Sequence, residues 1–590
     1  MTNADGMVLL HWSEKTANPS AEDPLGLNLR VGARLGAQLL HCITSITPRA
    51  RYYSFLTWCV GDYLDRVKGT RIDGGLGLAI LWRERALTLG CVLDHGGQAC
   101  EGGGLVGSQE AARVVAANAT ATLRLDLCEL SKNPAWDAYK GSLASLGLFT
   151  ATAEQAGMAA DALADDPDGG EELTEDDLQL TDLGREIADL FGSAVRETRV
   201  YDAVAGSRPE VTPDQLREWG SSAGLCAAAA GTAPELNSLR QLFLQTGRRD
   251  TSQRFRHDSM VALLFLASEM APRKIVLDGT VFANATYLGQ AYSPGGGVVT
   301  IPWPDQLDDV VNRWRMFHAH HYLSVALEGL FVSVVRQGFC SGLGGFTLDD
   351  LLSPLESPHT TQALSRHLGC ELPDSFLVLS PRDVAAAAGL STPAAGTSWG
   401  SALDHHVTLE HAICEARIEA LLRDRDILHT PEGTALCLLL AAIVTMRLGG
   451  WRELPQAEWL LNNVYDATED ITVPLVLRDL AAHYADWWQA PFGDLGKRVI
   501  QKFVVRQHET LAYDKSRSGG KVLFHTERGR VIGRDIPYDS IGVTNPRFGS
   551  AIQIIQDLGW VQRQADRVLT LTTDGHECLE RQLAGMEEAP

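Results

Sequence analysis

No CxxC pair occurs among the eleven cysteines of this 590-residue chain. Their number is odd, and they are scattered from Cys42 to Cys578. That distribution suits reduced thiols in a cytoplasmic protein and argues against a structural zinc site or a disulfide framework. Long apolar runs are equally scarce. The most apolar stretch, Ala435 to Met446, stops at Arg447, and spanning a bilayer takes about 20 residues. It predicts a buried core helix instead, with Thr430 as N-cap, Pro431 in the first turn and Gly449 ending it. The opening MTNADGMVLLHWSEK lacks the charged and apolar regions of a signal peptide. Absence of GxxxxGK[ST] and GxSxG disfavours P-loop NTPases and α/β-hydrolases. Strand-like alternation is sparse, and no repeat of about 20 to 50 residues points to a solenoid. These absences predict a cytoplasmic protein with no membrane span, no metal and no cofactor.

What is present is mostly helical periodicity, as in Leu35 to Leu64, Ser259 to Met270, Trp314 to Val335 and Val473 to Trp488. At roughly 150 residues per domain, the length predicts about three to four domains. The expected architecture is mainly α (α+β), a multi-domain helical protein with two winged-helix-like modules. Residues 1–132 would form an N-terminal helical domain and 133–200 a winged-helix-like module with an acidic insert. Residues 201–495 would form a helical middle region and 496–590 a basic winged-helix-like module.

The two modules are suggested by an echo. Leu143-Ala-Ser-Leu-Gly-Leu-Phe149 and, after the insert, Leu178-Gln-Leu-Thr-Asp-Leu-Gly-Arg-Glu-Ile-Ala-Asp-Leu-Phe191 resemble Ile554-Ile-Gln-Asp-Leu-Gly-Trp560 followed by Leu569-Thr-Leu-Thr-Thr-Asp-Gly-His-Glu-Cys-Leu579. Each reads as a helix ending at Gly, a hairpin, and a Thr/Asp-capped helix. Any αββα turn with sensible caps would look alike.

The net charge is −23, which limits indiscriminate binding to nucleic acid. Residues 161 to 182 carry a dense acidic run, and the opposite sign gathers between Gly496 and Phe548. There Arg498, Lys502 and Arg506 are spaced i, i+4, i+8 on an expected helix whose other side carries Ile500, Phe503, Val504 and Leu511. Like charges at i, i+4 cost a few tenths of a kcal/mol in an isolated helix, so the stripe suits an anion. Lys515, Arg517 and Lys521 follow in a Gly/Ser loop, and Arg547 precedes the candidate recognition helix. A groove tracking phosphates is one reading; a solvated face answering the acidic run is the other.

Thr47-Pro-Arg-Ala-Arg-Tyr-Tyr-Ser-Phe-Leu-Thr-Trp58 opens a helix on which Arg49 and Arg51 offer forks to phosphate and Tyr52 a stacking face; equally, the aromatics could be core and the arginines caps. In Trp82-Arg-Glu-Arg85, the flanking arginines would keep Glu84 ionised, as a base or a stabiliser of a cation, unless it is an interhelical salt bridge. His318-Ala-His-His321 with Glu328, and Asp404-His-His-Val-Thr-Leu-Glu-His411, match no metal spacing. Gly102-Gly-Gly-Leu-Val-Gly107 fits GxGxxG without a βαβ unit around it and reads as a loop.

Four blocks taken in order resemble a family of bacterial proteins encoded in phage-defence loci. They are Asp23-Pro-Leu-Gly-Leu27 leading to Ile46-Thr-Pro-Arg-Ala-Arg-Tyr-Tyr-Ser-Phe55; Trp82-Arg-Glu-Arg85; Arg506-Gln-His508 with Lys515; and Asn545-Pro-Arg-Phe548 with Asp557-Leu-Gly559. One branch of such proteins is similar to an anti-phage DNA glycosylase that removes glucosylated hydroxymethylcytosine from phage DNA. The resemblance implies base flipping, a carboxylate facing an oxocarbenium-like sugar, double-stranded DNA as partner, and no cofactor. No catalytic residue is carried over from it. On the residues alone, Glu84 is the candidate catalytic acid, and Arg49, Arg51 and Tyr52 would hold the flipped nucleotide. Arg498, Lys502, Arg506, Lys515 and Arg547 would contact phosphates. The alternative is a non-catalytic winged-helix regulator or scaffold.

Overall fold

A computed structural model describes residues 23–587, except segments 71–73, 151–177, 247–250, 391–406, 467–483, 517–521 and 535–537 and positions 99, 101–102, 119, 132–133, 207–208, 452–453, 543 and 545. The protein is mainly helical. In chain order, a π-helical turn at Leu27–Gly32 leads into α1 (Ala33–Leu39), α2 (Ala50–Arg66), α3 (Leu76–Asp94) and α4 (Ala135–Ser145). Then come β1 (Phe149–Thr150), β2 (Gln179–Leu180), α5 (Asp182–Val195), α6 (Pro213–Ala223) and α7 (Ser252–Met270). The centre is formed by α8 (Asp308–Ser341) and α9 (Pro431–Gly450). The C-terminal part holds α10 (Phe492–Val499), a second π-helical turn (Ile500–Val505), α11 (Arg506–Ser516) and the ribbon β3 (Phe524–Glu527) and β4 (Arg530–Gly533). It ends with α12 (Phe548–Asp557), β5 (Val561–Arg563), β6 (Leu569–Leu571) and α13 (Thr573–Glu587). Sheet structure among the described residues is confined to two-stranded antiparallel ribbons.

The packing of α8 against α9 sets the core. At 34 residues, α8 is about 51 Å long. Both helices are long and apolar enough by composition to cross a bilayer, yet 78% and 94% of their most apolar windows are buried inside the protein. They serve as core helices, as Ala435 to Met446 led one to expect. Thr430 caps α9 through its hydroxyl, which accepts from Gly433 N at 3.2 Å; the helix runs one residue past Gly449. Apolar burial is continuous from Leu25 to Leu579, so the four expected segments share one core.

The echo between the two modules is a repeat in three dimensions. Leu146 and Leu558 end α4 and α12, and Gly147 and Gly559 follow, both with φ 72°. Leu148 N donates to Leu143 O and Trp560 N to Ile555 O, the six-residue closure of a Schellman end. After each ribbon, the Thr181 and Thr572 hydroxyls donate to Gly147 O and Gly559 O, both at 2.7 Å. The same hydroxyls accept from Gly184 N and Gly575 N, both at 3.0 Å. The acidic residues 161 to 177 lie outside the described residues, as does most of Val473 to Trp488.

Candidate functional site

Two helix N-termini explain the N-terminal candidates. An α-helix begins with backbone N–H groups that lack intrahelical partners, and neither α2 nor α4 has a side-chain cap of its own. At α2, Arg49 N donates to the Tyr139 hydroxyl at 3.0 Å and Ala50 N to Asp557 Oδ2 at 3.0 Å. Arg49 Nε donates to the same Asp557 oxygen at 2.8 Å. Tyr139 stands in α4 and Asp557 at the end of α12, so both copies of the repeat receive one helix start. At α4, Glu84 does the equivalent work, its two oxygens accepting from Ala135 N at 3.0 Å and Trp136 N at 2.8 Å.

The expected roles change accordingly. Arg49, Arg51 and Tyr52 are each less than 2 % exposed, and each is engaged with partners inside the protein. Arg51 pairs with Glu235 at 2.9 Å, and the Tyr52 hydroxyl accepts from Val106 N at 3.2 Å. Glu84 is a helix cap, and its flanking arginines turn away from it. Arg83 pairs with Asp62, and Arg85 donates to Leu125 O at 2.7 Å and Asp126 O at 3.1 Å. Burial therefore pushes the Glu84 carboxyl up to about 7, against the two N–H donors that favour its anion. Arg547 also faces inward, donating to Ile43 O at 2.9 Å and tying the C-terminal part to the N-terminal one. The candidate recognition helix α12 buries its apolar face in the core, where Phe548 stacks on Phe282 at 5.1 Å, and leaves Gly549 exposed with Gln553 and Gln556 half-buried.

The basic stripe stays outside. Arg498, Lys502 and Arg506 are all exposed, along the continuous helical segment from Phe492 to Ser516. Among the described residues no ion pair holds Arg498 or Arg506. Lys515 lies within α11 rather than in a loop, and its side chain is outside the described residues, as are Arg517 and Lys521.

Behind this stripe lies a buried polar centre that spacing did not reveal. The inner face of α11 grips the Asp23–Leu27 segment: Gln507 Nε2 donates to Leu25 O at 3.2 Å, and His508 Nδ1 donates to Pro24 O at 3.1 Å. From α8, His320 Nε2 donates to Leu27 O at 2.8 Å. Asp23 itself holds a left-handed φ of 49°, a conformation that costs about 1–3 kcal/mol in a non-glycine residue and clusters at functional sites. Its Oδ1 accepts from Asn28 N at 3.1 Å. The Asn28 side-chain amide donates to Glu328 Oε1, so one asparagine bridges two carboxyl groups. The Thr544 hydroxyl fixes that amide by donating to Asn28 Oδ1 at 2.6 Å. Gly542 N donates to Glu328 Oε2, and a Cβ on Gly542 would sit 2.8 Å from that oxygen. Glu328 is wholly buried. Burial, then the charge of Asp23, push its carboxyl up to about 8 although Gly542 and Asn28 favour the anion.

The flanking histidines form no metal centre with Glu328. His318 stacks on Trp314 at 6.0 Å, His320 holds Leu27, and His321 meets Glu419 at 3.0 Å. Residues 404–406 lie outside the described ones. The described part of the glycine stretch, 103–107, belongs to a loop, with Arg49 Nη1 donating to Gly103 O at 2.8 Å.

No family model, curated protein or solved structure matches this chain.

Proposed function

We propose that the protein is a DNA-binding hydrolase of N-glycosidic bonds, a glycosylase that excises a modified cytosine from phage DNA, with Asp23 and Glu328 as its reacting carboxyl groups. One observation carries the reading: a bridged pair of buried carboxyls lies behind the helix whose outer face bears Arg498, Lys502 and Arg506. Base excision asks for a proton donor to the departing base and a negative charge beside the oxocarbenium-like sugar. The Glu328 carboxyl, pushed up to about 8 by burial, suits the first task, and Asp23 is placed for the second. Two carboxyl groups are the usual equipment of glycoside hydrolysis. The exposed stripe supplies sequence-independent grip on the backbone, and the acidic remainder of the chain limits idle binding. Glucosylated hydroxymethylcytosine is the substrate implied by the resemblance of the four blocks. Those blocks meet in space: Asp23–Leu27 lies under Gln507 and His508, and Arg49 is paired with Asp557.

The test is incubation of the purified protein with glucosylated and unmodified phage DNA, followed by assay for alkali-labile sites and free base. Release from the glucosylated DNA alone is the expected result; intact DNA in both arms contradicts the reading. A second reading, a non-catalytic winged-helix regulator or scaffold of a defence complex, is favoured by the repeated helix–ribbon–helix units that clamp α2. It predicts DNA or protein binding with no base released.

A further inference from the structure

The end of α3 carries a group of side chains that the buried carboxyl centre does not use. His95, Cys100 and Cys226 bring their ligand atoms within 4.8 Å of one another. Cys91, one helical turn before His95, interacts with Cys100 but lies outside that group of three, and Cys100 interacts with Cys226. The fold makes this meeting by a close helix crossing. The backbones of α3 and α6 touch at Gly90 and Gly220, where a Cβ on Gly220 would lie 2.1 Å from Gly90 O. The chain leaving α6 through Leu225–Ala227 is thereby laid beside Cys91. A turn through Gly96 and Gly97 returns the chain from His95 to Cys100.

We propose that Cys91, His95, Cys100 and Cys226 form a tetrahedral Cys3His site for Zn2+. The donor set is one of the usual structural zinc sets. In a tetrahedron with Zn–S of about 2.3 Å and Zn–N of about 2.0–2.1 Å, ligand atoms lie about 3.5–3.8 Å apart. The three atoms already grouped need to close by only about 1 Å. The histidine tautomer is set for the task. His95 Nδ1 lies 2.8 Å from Cys91 O, and a carbonyl only accepts, so Nδ1 carries the proton and Nε2 keeps its lone pair. That is the outer-shell pattern which orients metal-bound histidines. Arg49 Nη2 approaches Cys226 Sγ at 3.9 Å. On binding, three S–H bonds break as three Zn–S bonds form, and the three protons pass to solvent. Three thiolates and one Zn2+ leave a single negative charge, next to the Arg49–Asp557 pair. The site staples the end of α3, the following loop and the 225–227 turn beside the arginine that anchors Asp557.

The full-length chain, reduced, supplied with ZnCl2 and freed of excess metal by gel filtration, is expected to retain close to one zinc per chain by atomic emission. CoCl2 in its place is expected to give the d–d and thiolate charge-transfer absorption of tetrahedral cobalt, a readout on the unaltered chain that stands even where a variant fails to fold. Cys100→Ser and Cys226→Ser should each lower retained zinc at least about tenfold, whereas Cys340→Ser, at an exposed thiol, should retain all of it. Less than about a tenth of a zinc per chain, an octahedral cobalt spectrum, or zinc content unchanged in both serine variants would each overturn the proposal. So would a Cys100–Cys226 disulfide in protein that takes up no zinc after reduction.

Discussion

Arg49 and Glu84 were legible in the sequence as unusual residues but not as what they are. A carboxylate flanked by arginines looks like a charged site, because linear spacing cannot say that Arg83 and Arg85 leave in other directions. Their partners, Asp557 for Arg49 and the start of α4 for Glu84, are supplied by tertiary structure. Replacing Arg49 by Ala leaves Asp557 buried and unpaired, and should cost about 3–5 kcal/mol in denaturant unfolding. The double change Arg49→Met with Asp557→Leu should cost less than the two single losses combined; simple additivity would contradict a coupled pair. Glu84→Gln should lower stability by about 1 kcal/mol, as loss of a cap does, and leave base release unchanged. Glu328 makes a pH-dependent case. Its folded value of about 8 lies above its ordinary 4.5, so the folded chain holds a proton that the unfolded chain loses between those values. Its contribution is fully present below about pH 4.5 and disappears as pH rises through about 8. Wild-type stability measured against Glu328→Gln should therefore decline across that window; two parallel curves would remove the perturbed carboxyl from the account.

At the scale of elements the sequence was more informative. The break at Thr47-Pro48, the core helix from Pro431 and both helix–ribbon–helix units follow from local signals: caps, left-handed glycines and apolar spacing. What those signals could not supply was the destination of each face. The α12 helix looks like a reading helix in sequence, and its apolar side is buried against α2, α7 and Phe282. The shared glycines of the repeat are testable. A Cβ at Gly184 would lie 2.1 Å from Leu148 O, and one at Gly575 would lie 2.0 Å from Trp560 O. Alanine at either position forces a backbone shift costing about 1–3 kcal/mol, read from the denaturation midpoint. An unchanged midpoint in both variants would mean the repeat is not held as described. The basic stripe has its own readout. Changing Arg498, Lys502 and Arg506 to Ala should reduce the slope of log K against log salt by about 0.9 per lost phosphate contact. An unaltered slope would return the stripe to a solvated face.

In the whole molecule, the blocks that stood far apart in the sequence form two meeting points. Arg49 and Asp557 join the ends of the chain at one. Asp23, Asn28, Glu328 and the inner face of α11 form the other, where the outer and inner sides of a single helical segment connect a cationic surface to a buried carboxyl pair. The sequence signalled the cationic surface through its charge spacing. It could not signal the pair, because Asp23 and Glu328 lie some 300 residues apart and are joined through Asn28. The most direct measurement is single-turnover release of base from glucosylated DNA by wild type, Asp23→Asn and Glu328→Gln, each first shown to be folded. Both variants are expected to lose at least about 10²-fold in rate while binding DNA as wild type does. Release at the wild-type rate by folded Glu328→Gln and Asp23→Asn would contradict the account.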